Sequence, residues 1–372
     1  MVRRGVYDRP YLARIGTQST DLAIGGYFDL VGSYLQRKGL SDGFSAEARR
    51  FNLFVTSRIA DRLRLSSEIE FEHGAAEIAL ETAALDVLLH HAINLRAGIV
   101  LVPLGKFNIA HDSPLYDIVD RPLVSTQIIP ATFSDVGGGL FGALYPGGHK
   151  LTYEVYVVNG LGDGLIGASS TSTAAAKDER RFARDNNGVP AVAARLGYTT
   201  PAHPRFRVEG ALSFYSGIYN SFKVDGITVD RTRWLHIIAA DAEASAGPLT
   251  VRGEVAYART ELPEGLTEQH AREQLGVYAE ALCTVMKRRL WVLERAALAV
   301  AARVDHVDRN RDTRPLTGAA LGDETTRLTL GLSLRPAPTT SLRVGYYYEW
   351  QTDLLNNLVR AGGVQLGLAS YF

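Results

Sequence analysis

The sequence predicts an all-β protein: a transmembrane antiparallel barrel of about 16 strands. Three observations predict it. Apolar residues recur with a period of two over long stretches, short connectors alternate with long ones, and the chain closes on an alternating, aromatic strand. Alternation at 180° per residue puts apolar and polar side chains on opposite faces of a strand, which a helix of period 3.6 cannot do.

The elements follow in order. Leu22, Ile24, Phe28, Leu30 and Tyr34 alternate with Asp21, Asp29 and Ser33. Phe51, Leu53, Val55 and Ile59 alternate with Arg50, Asn52, Thr56 and Arg58. Leu63, Leu65, Ile69 and Phe71 alternate with Arg64, Glu68, Glu70 and Glu72. Later come Phe206, Val208, Leu212 and Phe214 against Arg205, Arg207, Glu209 and Ser213. The cleanest strand sets Leu328, Leu330, Leu332 and Leu334 against Thr329, Gly331 and Ser333. Leu342, Val344, Tyr346, Tyr348 and Trp350 then alternate with Arg343, Tyr347 and Glu349. Short connectors are expected at Ala60-Asp61, Leu89–Ala92, Pro146–His149, Thr199–Pro204, Ala246–Leu249, Met286–Leu290 and Pro336–Thr340. Long ones are expected at Val102–Val136, Asn159–Val189, Gly217–Arg231, Thr260–His270 and Asp305–Thr325. Turns on one rim and loops on the other are the layout of a bacterial outer-membrane barrel.

Alternation alone does not separate a barrel in lipid from a soluble sandwich. Strands longer than the usual ~5–6 residues favour the barrel. So do aromatics near strand ends: Tyr27, Phe28, Tyr145, Tyr153, Tyr198, Trp234, Trp291 and Trp350 suit interfacial girdles. The end GLASYF places Phe372 after an alternating strand, as in barrels whose last strand is read by assembly machinery.

Composition sets the exclusions. Forty basic and forty acidic residues leave a formal charge of zero, against the basic surplus of a nucleic-acid binder. No apolar run reaches the ~18 residues of a spanning helix. A single cysteine, Cys283, excludes a disulfide framework and a cysteine zinc site. Its alternation with Val277, Ala279 and Ala281 turns it toward lipid. The start shows basic residues without an apolar run, so a secretory signal is expected to have been removed. No HExxH or GxSxG occurs among the nine histidines and the serines, and Gly137-Gly138-Gly139 precedes no helix. No enzyme activity, cofactor or metal site is therefore expected. The three glycines read instead as a close backbone approach.

The segment from Arg96 to Leu144, with VPLG, HDSP, DRPLVS and IIP, resembles the porin O/P family, often described as phosphate-selective porins. AIGGYFDL near the start, SSEIEFEHG and YEVYVVNGL resemble it too, so the likeness covers about Ile24 to Leu161. The resemblance implies a sixteen-stranded barrel, commonly a trimer, with this loop folded inward as a constriction. It does not specify phosphate, because the family's phosphate-binding residues find no positional match here.

The residues of that loop agree with a special role. About thirty residues between strands exceed an ordinary connection, and Pro103, Pro114, Pro122 and Pro130 stiffen it. Residues 1–19 are expected as a periplasmic segment, 20–372 as the barrel, and 103–135 as the constriction loop. Lys106, His111, Asp112, Asp117, Asp120 and Arg121 are the candidate eyelet residues. Asp112 is expected in an Asx turn and Asp120-Arg121 as an internal ion pair; pinning the loop to the wall is an equal use for these charges. The candidate lumen wall comprises Arg50, Arg58, Arg64, Arg96, Arg205, Arg207, Arg252, Arg327 and Arg343 with Glu68, Glu70 and Glu349. Its arginines outnumber its glutamates, and acids interleave, so the expectation is passive diffusion of small hydrophilic solutes or ions with at most weak anion preference. Outer-membrane lipid and a second and third copy of the chain are the expected partners, not nucleic acid. The competing reading is a docking barrel with a loop-plugged lumen, its partner held by the glycine-, alanine- and serine-rich loop Gly160–Gly188.

Overall fold

A computed structural model describes residues 7, 9, 13–15, 21–167, 173, 182, 184–203, 205–291 and 293–372. About half of the Gly160–Gly188 loop, offered above as a partner site, lies outside them. Sixteen long strands form a closed antiparallel ring. In chain order they are β1 (Asp21–Arg37), β2 (Phe44–Ala60), β3 (Leu63–Glu72), β4 (Glu77–His90), β5 (Ile93–Leu101), β6 (Ser134–Leu144), β7 (Lys150–Val158) and β8 (Ala191–Thr199). The second half runs β9 (Phe206–Ile218), β10 (Trp234–Ala246), β11 (Leu249–Thr260), β12 (Glu273–Leu290), β13 (Leu293–Asp308), β14 (Glu324–Ala337), β15 (Thr340–Thr352) and β16 (Leu358–Tyr371). Each pairs with its sequence neighbours, and β16 returns to β1, from Ala361↔Arg37 to Tyr371↔Tyr27. At this seam Gly26 and Phe372 exchange backbone hydrogen bonds, and the Phe372 ring stacks on Phe51 at 5.3 Å. A three-residue strand, Ala13–Ile15, continues the pairing along Leu22–Ile24, just beyond the end of β16.

The connectors alternate as expected. One rim carries turns of two to six residues, and the other carries every longer connection, above all residues 102–133. One expected turn moves. Met286–Leu290 stays inside β12, and Leu290 pairs with Leu293, with register irregularities near Thr284 and Arg288. The polar run Lys287-Arg288-Arg289 resembles a turn by composition, but at a rim a strand can carry such charges into water.

Face orientation separates barrel from sandwich. Leu328, Leu330 and Leu332 are 38%, 52% and 51% exposed, whereas Thr329 and Ser333 between them are 2% and 1%. A sandwich buries its apolar face; here it is the polar face that lies inside. Register extends the outer apolar face across strands, with Leu330 opposite Tyr346 and Tyr346 opposite Val364. Leu330→Arg is expected to cost about 2–4 kcal/mol where the band crosses a bilayer midplane, and Leu330→Ala, which brings no charge into lipid, less. Equilibrium refolding into phospholipid vesicles along a urea series measures both.

The aromatic girdle needs one correction. Tyr27 does not face outward: it is fully buried, packing with Phe54 and Tyr371 in an interior cluster that includes Leu115. Its parity is that of Asp29, which is also buried. Near the seam Tyr34, Phe51 and Phe372 are exposed.

Gly137-Gly138-Gly139 opens β6, where the chain returns from its longest described inner segment. A Cβ there would lie 2.1 Å from the Val157 carbonyl oxygen, 2.5 Å from that of Arg96 and 2.0 Å from that of Val155. The run is a backbone contact on both sides of the strand, as its sequence context suggests.

Candidate functional site

The polar inner face and the segment joining β5 to β6 meet in one network. The segment enters and leaves the wall side by side: Val102 N–H donates to the Phe133 carbonyl at 2.9 Å. Asn108 staples this neck. Its amide donates to the carbonyls of Val102 and Phe133 at 2.7 and 3.3 Å, and its side-chain oxygen accepts from Phe133 N–H at 2.6 Å. Two short helical turns follow, α1 (Lys106–Ile109) and α2 (Leu123–Gln127), the second entered through Pro122. The turn into α1 requires glycine: Gly105 has φ +76°, and a Cβ there would sit 2.2 Å from a carboxylate oxygen of Glu254. Gly105→Val is expected to unseat the segment without breaking the ring. Limited proteolysis of the vesicle-inserted protein should then cut within 106–127, where the native chain resists.

Among the described residues, every charged side chain expected in the eyelet except that of Arg121 has an ion-pair or hydrogen-bond partner set by this packing. Lys106 pairs with Glu209 of β9. Asp117 accepts from Ser333 at 2.9 Å and Arg335 at 3.0 Å, both on β14. Asp120 faces Arg49 at 3.4 Å and Arg327 at 3.5 Å, and accepts from Gln365 at 2.9 Å. It therefore does not pair with Arg121; strand cations reach it first. The backbone carbonyls of Asp120 and Arg121 accept from Arg303 at 3.0 and 3.3 Å. The Arg121 guanidinium is buried 5.6 Å from the Phe107 ring centroid, with one terminal nitrogen lacking a hydrogen-bond acceptor. Burial, with Arg50 nearby, pushes its pKa down from the usual arginine value. Asp112 forms no Asx turn: its side chain does not cap the following 3-10 turn. It accepts instead from Tyr371 O–H at 2.9 Å and from Arg9. His111 donates Nδ1–H to the Asn108 carbonyl at 2.8 Å on the tautomer that this acceptor selects, and its Nε2 lies 3.7 Å from Glu81. Burial pushes this imidazole down, but Glu81, with Glu68 and Asp112, more than offsets it and holds the pKa above the ordinary value.

The wall residues are also paired. Arg50 contacts Glu70 at 3.1 Å and Glu72 at 2.7 Å. Arg64 and Arg96 share Asp86, each at 2.7 Å. Arg207 pairs with Glu209 at 2.6 Å, Arg252 with Glu280, and Arg327 with Glu349. Arg343 pairs with Asp29 at 2.8 Å and donates to the Ser113 carbonyl at 3.3 Å. Glu68 and Glu70 both accept from Asn52, at 2.6 and 3.3 Å. Across β10 to β13 the register itself alternates charge, Glu243 opposite Arg252, Arg252 opposite Glu280 and Glu280 opposite Arg303. Arg58 and Arg205 differ from the others in their height along the barrel. Both are exposed at the turn-side ends of β2 and β9, so they belong to the rim rather than to the wall.

Two cavities open toward the turn rim beneath the segment. One, of about 700 Å³, is lined by Leu115, Asp117, Arg252, Lys287, Arg295 and Arg335. The other, of about 640 Å³, is lined by Arg64, Arg96, Lys106, Glu154, Arg195 and Glu209.

Several functional contacts escape the alternation rule. Arg49 reaches Asp120 because β2 bulges there: Arg50 opposes Asp29 and Ala48 opposes Leu30, leaving Arg49 as the extra residue. The acids that balance the wall include Asp29, Asp86, Asp241 and Asp305 as well as glutamates, with Asp241 2.6 Å from Arg195 and Asp305 2.8 Å from Arg303. Counting these aspartates removes much of the arginine surplus. Nor do the described parts of residues 1–19 lie outside the ring. The Tyr7 hydroxyl oxygen accepts from Leu101 N–H at 2.8 Å, and the Arg96 guanidinium lies 3.4 Å over the Tyr7 ring. Arg9 reaches Glu68 at 2.6 Å and Asp112 at 2.9 Å. Glu68, His111 and Asp112 also offer three potential ligand atoms within 4.8 Å of one another, though Arg9 occupies both carboxylates.

No family model matches the chain. A curated protein of Aquifex aeolicus (strain VF5), described as uncharacterized, is 26% identical over 373 aligned positions, covering 94% of this chain and 80% of that one. Solved structures share the fold. The anion-selective porin from Comamonas acidovorans superposes with a TM-score of 0.58 at 12% identity, covering 95% of this chain and 100% of that one. The outer-membrane channel DcaP of Acinetobacter baumannii gives 0.57 at 14% identity, covering 97% and 100%. OmpT of Vibrio cholerae gives 0.58 at 11%, covering 97% and 100%. This chain has the sixteen-stranded porin fold.

Proposed function

We propose that this protein is an outer-membrane channel for passive diffusion of small hydrophilic solutes or ions, with residues 105–134 setting its narrowest point. The observation that carries the reading is the inverted polarity of a closed ring, apolar outside and charge-paired inside, with two cavities capped by one inward-bonded segment. The fold shared with a porin described as anion-selective supports a channel but sets no selectivity. Near-complete pairing of wall charges supports weak selectivity, since opposite charges a few ångströms apart cancel at the distance of a passing ion. The resemblance to porin O/P sequences in the β5–β6 segment supports the same reading, and a homotrimer is in keeping with it; OmpT of Vibrio cholerae has been solved in a trimer form.

A second reading has its own observation. The segment bonds to strands on every side, among them Ser213 of β9, Asp305 of β13, Ser333 of β14 and Tyr371 of β16. That breadth favours a plugged barrel that serves as a docking platform. Planar-bilayer recordings of the purified protein decide between them. Discrete open steps in symmetric salt support the channel, and silence at all voltages supports the plug.

A further inference from the structure

The pocket that holds Arg9 is built for the shape of its side chain. The Asp112 carboxylate takes two parallel hydrogen bonds from the Arg9 guanidinium, from Nε and Nη2, both at 2.9 Å. Glu68 takes a further one from Nη2 at 2.6 Å. The Phe54 ring lies flat beneath, its centroid 3.6 Å from the guanidinium carbon. A forked carboxylate, a second carboxylate and an aromatic face together match a planar, delocalised cation, and an ammonium cannot use the fork. The receiving groups are fixed from behind. Tyr371 O–H donates to Asp112, and Asn52 donates to Glu68 at 2.6 Å. Beside them the buried Glu81 and His111 face each other, with Nε2 3.7 Å from the carboxylate.

We propose that Glu68, Asp112, Phe54 and Tyr371 form a guanidinium-binding site in the lumen, and that Arg9 is its tethered occupant. Small solutes carrying a guanidinium group compete with the N-terminal segment for this site. The proposal deepens the channel reading by naming a solute class, and it rests on that reading only for how the solute arrives. Tethering explains why a channel with balanced walls keeps such a pocket occupied: a chain-linked ligand is present at high effective concentration, so a free one must be abundant to displace it.

Titration calorimetry on the full chain in detergent tests this without requiring an open pore. The probes are agmatine, which carries a guanidinium and an amine, and cadaverine, a diamine of the same charge. Arg9→Ala is expected to bind agmatine at least tenfold more tightly than the wild type, while cadaverine stays weak to both. Adding Asp112→Asn to Arg9→Ala should remove the gain. Heat-modifiable migration on gels reports whether each variant folds. Should the double variant not fold, Phe54→Leu in the Arg9→Ala background replaces it and should weaken agmatine binding at least threefold. Equal agmatine affinity in the wild type and Arg9→Ala, or equal affinity for the two probes in Arg9→Ala, overturns the proposal. Silence in planar bilayers sinks the channel reading and leaves the calorimetric result standing.

Discussion

Arg303→Ala is expected to lower the unfolding free energy of the barrel by about 3–5 kcal/mol, the cost of breaking a buried ion pair from one side. Arg303 is 2% exposed. It bonds Asp305 at 2.8 Å and faces Glu280 at 3.6 Å, and it donates to the carbonyls of Asp120 and Arg121. Its removal leaves two wall carboxylates with less compensation and two carbonyls of the inner segment without these donors. Asp305 also accepts from Leu123 N–H at 3.0 Å, so the same change loosens the entry to α2. Two readouts should move together: the urea midpoint for unfolding from vesicles, and the current noise of single channels. An unchanged midpoint removes Arg303 as the link between wall and segment. Arg303→Lys keeps the charge but not the fork, and is expected to recover part of the stability while the noise persists.

On the proposed channel reading, Lys106→Glu with Arg121→Glu is expected to turn ion preference toward cations, changing the permeability ratio by roughly fivefold to tenfold. A charge at a narrow point acts more strongly than one on a wide wall, because low-dielectric walls confine its field. The double change replaces two positive charges with two negative ones. It also leaves Glu209 facing a like charge where Lys106 stood. Reversal potentials under a salt gradient measure the ratio. The shift should shrink toward 1 M salt, where screening falls to about 3 Å. Wild-type selectivity in a folded double variant would assign both residues to anchoring the segment rather than to the solute path.

The fold was legible because alternation and connector length report independently on it. Leu328 through Leu334 show which face is apolar, and the turn and loop rhythm shows how the strands connect. The site was legible in part. The length and prolines of the β5–β6 connection singled out its charged residues, all of which bond into the interior network except the end of the Arg121 side chain. Alternation reports a face but neither height along the barrel nor the identity of a partner. Arg58 and Arg205 have the right parity but sit at the rim. Arg49 has the wrong parity and is brought in by a bulge that no residue pattern marks. Tyr27 looked like a girdle residue from its neighbours, yet parity with Asp29 turns it inward. Arg9 lies in a stretch with no strand pattern, so only the three-dimensional arrangement connects it to Glu68 and Asp112.

The seam between β1 and β16 has a consequence for how the ring assembles. Its strands are joined through more than 300 intervening residues. Joining ends that far apart costs surprisingly little entropy. Each doubling of the enclosed length adds about 0.6 kcal/mol, so closure costs only about 2–3 kcal/mol more than forming a twenty-residue hairpin. The difficulty is one of search time rather than of equilibrium, since non-local pairings form slowly. Until they meet, β1 and β16 each present an unpaired backbone edge that invites another chain. Folding yield in vitro should therefore fall as protein concentration rises, with the loss concentrated in the last phase, when the two edges find each other.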